Sequence, residues 1–306
     1  MITIYLRDNK DKELLQLEEF TPHAFVYVEQ PTEEEIQILR DEFSLAPHLL
    51  HDALDMDEVP RIEQEDGDIY IFTRFAYGEN EEIKTAPMLL VLRKDSLLAL
   101  SPHVFPKIQG LLGAKSDIIT SQENKLLVRL FSEINNTYND YLNTVSKRIR
   151  TLSVRIDKIK NKDIMQFVVY ENVLSDFSSS LVRINNSITS LLGGKIIALK
   201  PGEVSMLEDV STDMTQHIQI SKENLQSIIS IRDAYSTIMT NNLNRVIKLF
   251  TSLTVILTLP TIVGTFFGMN VSLPFAHNPF AFGGIVLSAA VVCLIAFAIF
   301  YYMDWL

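Results

Sequence analysis

Asp233, Thr237, Thr240, Asn244, Ile247, Thr251, Thr254, Thr258, Thr261 and Thr265 follow one another at alternating steps of four and three. On a helix that spacing keeps all of them on one face. The face offers one carboxylate, one amide and a run of threonine hydroxyls, broken once by Ile247. Two kinds of chemistry use such a stripe. Small hydroxyl residues let helices approach closely inside a membrane, and a row of oxygens in a water-filled pore hydrogen-bonds or coordinates a hydrated ion. Asp233 at one end favours the pore, because a ring of carboxylates attracts cations. Two helices cannot enclose a pore, so that reading requires a symmetric oligomer with this helix innermost. Pro260 lies within the stretch and lacks a backbone donor, which frees a carbonyl expected to face the same lane.

The lane needs a helix in a membrane, and the chain supplies one. From Leu249 to Met303 there is no Asp, Glu, Lys or Arg. That is room for two spans, each needing ~20 apolar residues to cross ~30 Å of hydrocarbon. The first reads Leu249 to Phe267 and the second roughly Phe280 to Met303, with the turn VSLPFAHNPF and its two prolines between them. Arg245 and Lys248 precede the first span while the turn has no basic residue. The expectation is residues 1–248 in the cytoplasm, the turn outside, and both termini inside a cell (inner or plasma) membrane. No apolar leader is visible in MITIYLRDNK, and Tyr301, Tyr302 and Trp305 read as interfacial anchors.

Upstream, MITIYL, AFVYV, DIYIFTRFAY, APMLLVLR and SLLALSP are short apolar runs rich in β-branched or aromatic residues, read as about five strands. Pro31-Thr32 followed by Glu33, Glu34 and Glu35 marks a helix start. From Ser121 to Gly194 the period becomes helical, with a break expected at Lys162-Asp163 and an end at Gly193-Gly194. After Lys200-Pro201-Gly202 a third helix meets no breaker until Pro260, with Leu207, Val210, Met214, Ile218, Leu225 and Ile228 as its apolar seam. The expected fold is therefore an α+β cytoplasmic domain followed by long helices and two C-terminal transmembrane helices. Its parts are an acidic α/β domain over 1–120, a helical hairpin over 121–202, and a stalk helix over 203–267 that continues into the first span. An outer loop over 268–279 and a second span with a short tail over 280–306 complete it.

Charge is uneven. Residues 1–100 hold 23 acidic and 9 basic side chains and the remainder 15 and 18, so the net −11 belongs to the first third. Nucleic acid is disfavoured as a partner. Such a domain is either simply soluble or one that concentrates cations. The basic run from Lys147 to Lys162 reads as a solvated face or a partner for that acid domain, with anionic lipid the lesser reading. Cys293 is the one cysteine, so disulfides and cysteine metal sites are out. No phosphate-binding glycine loop or catalytic Ser/His/Asp or Cys/His grouping stands out, which argues against an enzyme.

PTIVGTFFGMN, the short turn, the second span and the terminal Trp305-Leu306 resemble the CorA family of magnesium transporters. So does DALDMDEVPRIEQEDGDIYIFTRF, an acidic stretch leading into a strand, and the order of parts matches over nearly the whole chain. The resemblance implies a funnel-shaped homopentamer lined by the long helix, with lipid and divalent cations as its other partners. It has no cofactor, and Mg²⁺ is substrate and regulatory ligand. Gly268, Met269 and Asn270 would form the ion entry, Asn270 accepting hydrogen bonds from the water shell that Mg²⁺ sheds reluctantly. Asp233, Asn244 and Thr261 fall at the family's pore-facing positions. Asp209 and Asp213 are candidates for the regulatory metal, with Asp52, Asp55 and Asp57 as others. Two departures are plain: the turn lacks the family's usual Glu, and Tyr301, Tyr302 and Asp304 replace its basic tail. His277 in the turn offers pH tuning or a preference for Zn²⁺.

Three functions follow. The first is channel-like uptake of Mg²⁺, driven by the membrane potential and gated by cytosolic divalent cation. The second is transport of Co²⁺, Ni²⁺ or Zn²⁺, proton-coupled transport included. The third is a non-conducting, membrane-anchored sensory or structural protein.

Overall fold

The computed structural model describes residues 1–7, 14–80, 82–113, 118–154, 159–271 and 279–305, which divide into two compact units, Met1–Ile231 and Arg232–Leu306. His277 lies outside the described residues, as do most of the turn and part of the basic run.

The first unit is built on a seven-stranded sheet. Its strands are β1 (Ile2–Leu6), β2 (Leu15–Leu17), β3 (Phe25–Glu29), β4 (Arg61–Glu65), β5 (Asp68–Glu79), β6 (Glu82–Arg93) and β7 (Ser96–Ser101), in the order β2-β1-β3-β7-β6-β5-β4. β3 and β7 are parallel and the other neighbours antiparallel. The five expected strands are present, and β2 and β4 are additional. β2 is too short to show alternation. β4, RIEQE, is polar throughout except for Ile62, and its pairing with β5 makes it a strand. Asp66 and Gly67 join the two with φ of +53° and +87°, the backbone of a two-residue hairpin turn.

Alternate residues point to opposite faces. On one face Val26, Val28, Tyr70, Phe72, Leu89, Val91, Leu98 and Leu100 pack with Ile36, Leu39, Leu49 and Leu50 from α1 (Glu33–Asp41) and α2 (Pro47–Ala53). Thr32 caps α1: its Oγ1 accepts from Glu35 N at 3.3 Å while Glu35 accepts from Thr32 N at 3.0 Å. The short α3 (Ile108–Leu112) follows β7. The other face meets α4 (Glu123–Ser153) and α5 (Asn161–Leu192). There Tyr138 donates to Arg74 O at 3.2 Å and meets the Phe177 ring edge-on at 4.9 Å.

The break expected at Lys162-Asp163 falls slightly earlier: α4 ends at Ser153 and α5 begins at Asn161. Asp163, expected at the opening of the second helix, stands in its first turn and accepts from Lys160 N at 2.9 Å. Gly193 ends α5, and Gly194 takes a φ of +69°. α6 then runs Pro201–Phe267 as one element, with Pro201 in the first turn, where no backbone donor is needed.

The packed seam of α6 differs from the apolar one read in the sequence. Leu207, Val210, Met214 and Ile228 are buried, but Ile218 and Leu225 are only partly so. From Leu207 to Ile231 the other buried positions are His217, Ser221, Asn224 and Ile231 itself. Steps of three and four from Leu207 arrive at these residues whatever their polarity.

Candidate functional site

In the second unit α6 pairs with α7 (Ala281–Tyr302). Along α7 the partly covered residues are Ala281, Ile285, Ala289, Cys293, Ala296 and Phe300. Their spacing makes one face, in which Ala281, Ala289, Cys293 and Ala296 are small. On α6 the covered positions are Ser252, Ile256, Leu259, Pro260 and Val263. The freed carbonyl belongs to this face. Pro260 leaves Ile256 O without its intrahelical donor, and Cys293 Sγ of α7 donates to that oxygen at 3.5 Å. The expectation that this carbonyl faces the polar lane is therefore corrected: α7 takes it up.

Thr251, Thr254, Thr258, Thr261 and Thr265 lie roughly half a turn round α6 from the α7 contact, since each residue advances the helix by ~100°. All five are exposed, and so are Asp233, Thr237, Thr240, Asn244 and Ile247. The stripe is thus uncovered along its whole length, and α7 does not use it for packing.

Its hydrogen bonds give it a polarity. Thr254 donates to Phe250 O at 2.8 Å, Thr258 to Thr254 O at 2.7 Å, Thr261 to Leu257 O at 2.9 Å and Thr265 to Thr261 O at 2.7 Å. Thr237 does the same to Asp233 O at 3.0 Å. Each hydroxyl hydrogen is occupied by its own helix, so the oxygen lone pairs face outward. A row of acceptors is what a cation or its donating water shell meets favourably.

At the C-terminal end of α6, Gly268 N donates to Gly264 O at 3.0 Å and Met269 N to Phe266 O at 3.4 Å. A Cβ at Gly268 would sit 3.3 Å from Gly264 O, tighter than usual contact, which favours glycine there. Met269 and Asn270 are exposed beyond the last helical turn. At the other end of α7, Trp305 N donates to Phe300 O at 3.0 Å, the two rings stack at 5.6 Å, and Lys248 Nζ lies 6.0 Å from the Trp305 ring. The tail therefore sits level with the basic residues that precede the first span.

Asp209 and Asp213 are both exposed, one turn apart. Among the described residues no three His, Cys, Asp or Glu side chains come together to hold a metal. Asp52 binds Arg61 Nη2 at 2.7 Å, and Asp55 Oδ1 accepts from Asp57 N at 2.9 Å. Those two carboxylates are engaged within the chain.

Some residues of the exposed face escaped the sequence reading. Continuing the same steps toward the N-terminus gives Ser230, Gln226, Glu223, Gln219, Gln216 and Thr212, all exposed and all polar, before Asp209. The spacing that revealed the threonines was a sufficient signal for these too.

The family model for the CorA-like Mg²⁺ transporter protein matches residues 23–301. The chain belongs to that family. It is 24% identical over 297 residues to the cobalt/magnesium transport protein CorA of Methanocaldococcus jannaschii, covering 94% of this chain and 93% of that one. The complete CorA magnesium transporter structure from the same organism superposes with a TM-score of 0.88 at 19% identity, covering 100% of this chain and 99% of that one. Full-length CmaX gives a TM-score of 0.74 at 14% identity, over 96% of both chains. The cytoplasmic domain of ZntB from Vibrio parahaemolyticus gives 0.63 at 11%, covering 78% of this chain and 98% of that one. The CorA fold accounts for the α/β unit, the long helices and the two C-terminal apolar helices, both long and apolar enough to span a membrane. CorA proteins are membrane transporters of divalent cations rather than enzymes, and this chain is one of them.

Proposed function

We propose that this CorA chain is a channel-like transporter that admits Mg²⁺ through an axial path lined by α6 in a homo-oligomer, a pentamer by family resemblance. The observation that carries the reading is the exposed acceptor ladder from Thr254 to Thr265, turned away from α7. A second copy of α6, rather than α7, is then the neighbour that face requires. Asn270 stands at the mouth and offers an amide oxygen to the ion's water shell, Gly268 and Met269 shape the turn, and Asp233 draws the cation at the inner end. Arg245 and Lys248 set the orientation, with the first unit in the cytoplasm and the membrane potential driving entry. Cytosolic divalent cation gates the path through Asp209 and Asp213. Asp209 and Asp213 supply two carboxylates of that site, and a neighbouring copy supplies its other ligands.

Co²⁺ is the second substrate to test, since the M. jannaschii relative is named for both ions. The hydroxyl ladder supplies only oxygen, which suits a hydrated hard ion and offers no soft ligand. The test is influx into liposomes loaded with a Mg²⁺-sensitive dye at an inside-negative potential, with wild type and Asn270→Ala side by side. The reading expects saturable entry in wild type and at least a tenfold loss in the variant at unchanged assembly. Silence in wild type for both Mg²⁺ and Co²⁺ would favour a non-conducting anchored protein.

A further inference from the structure

The buried seam of α6 changes character part-way along the first unit. Leu207, Val210 and Met214 are apolar, as are Ile228 and Ile231, but the three positions between are His217, Ser221 and Asn224, each 9% exposed or less. Two cross-helix ties bracket this stretch. Asn185 of α5 accepts from Ser211 Oγ at 2.7 Å and donates to Thr215 Oγ1 at 3.2 Å. Asn224 donates to Ser146 Oγ of α4 at 2.7 Å. Between the ties Ser221 donates to His217 O at 2.9 Å, and His217 Nδ1 is buried with no hydrogen-bond partner among the described residues.

An unpaired buried polar atom weakens the contact that holds it, because it has lost water and gained nothing. Polar residues at packing positions lower the stability of a helix pair while limiting how it is arranged. Apolar anchors on both sides keep the helix seated as this segment loosens. We propose that the His217–Asn224 segment is a slip zone. There α6 parts from α4 and α5 and its own backbone hydrogen bonds open locally, while the seam above and below stays closed. Such openings follow weak local contact and precede global unfolding. Resting on the transport reading, this is the joint at which the lane-bearing helix is released to move; the opening itself does not depend on that reading.

The test is hydrogen exchange of the full-length protein in lipid nanodiscs. Amides of residues 214–224 are expected to exchange about tenfold faster than those of 203–213 and 225–231. The double variant His217→Leu with Asn224→Leu fills the seam with apolar side chains and is expected to slow residues 214–224 to the rate of their flanks. Uniform exchange along 203–231 in wild type, or an unchanged rate in the double variant, overturns the proposal. If the double variant fails to assemble, Asn224→Ala cuts the tie to Ser146 and must speed exchange in the same segment; an unchanged rate there overturns it equally. Loss of Mg²⁺ flux with the exchange pattern intact would count against the transport reading alone.

Discussion

A threonine whose hydroxyl hydrogen is bound to its own helix is an acceptor to everything else. Thr254, Thr258, Thr261 and Thr265 all take that form, and their outward lone pairs favour cations over anions. Thr258→Val keeps the shape and removes the acceptor. One lost bond to a charged ion's shell raises the barrier by about 1.4 kcal/mol, so initial Mg²⁺ influx is expected to fall about tenfold. Thr258→Ser restores the oxygen and should recover most of the flux. Equal flux in Thr258→Val and wild type would show that the hydroxyl does not face the ion. At this scale the sequence was readable wherever the residue type and the helical step agreed, as along Thr251 to Thr265. It misled where they disagreed: a search for apolar side chains chose Ile218 and Leu225, whereas the buried face passes through His217, Ser221 and Asn224.

Helix pairing explains why the lane is left open. α7 meets α6 through Ala281, Ala289, Cys293 and Ala296, and uses Cys293 to satisfy the carbonyl that Pro260 frees. Ala289→Leu would push the helices apart at a cost of about 1–3 kcal/mol. The expected result is a lower thermal unfolding temperature for the purified protein, while Leu287→Ala, on an exposed face, leaves it within about 0.5 kcal/mol of wild type. α6 also carries a pH term in the first unit. Burial holds the His217 imidazole below its ordinary pKa, with Asp213 pulling the other way. A pKa lower in the folded than in the unfolded state means stability is full above about pH 6.5 and declines as the pH falls below it. Thermal unfolding followed between pH 7.5 and about 5 should show that decline in wild type, and a flatter profile in His217→Leu. Elements were legible when their own residues specified them, as with Thr32 and Glu35 on α1. β4 was not, because its polar residues become a strand through pairing with β5; the Asp66-Gly67 turn was the local signal that it existed.

For the molecule as a whole, charge and hydropathy separate along the chain: the acidic residues gather in the first third and the C-terminal stretch from Leu249 to Met303 carries none. The order of parts was readable because membrane spans, long helices and strand runs differ so strongly in pattern. The central claim is that the threonine face of α6 lines the conduction path. It is tested most directly by cysteine accessibility in a Cys293→Ala background, with Thr258→Cys compared against Leu253→Cys on another exposed face. Both proteins are reconstituted in liposomes, treated with a membrane-impermeant cationic methanethiosulfonate, and assayed for Mg²⁺ influx. The account predicts that the reagent abolishes influx through Thr258→Cys and leaves Leu253→Cys unaffected. Unchanged influx through modified Thr258→Cys, or equal block at both positions, would contradict it.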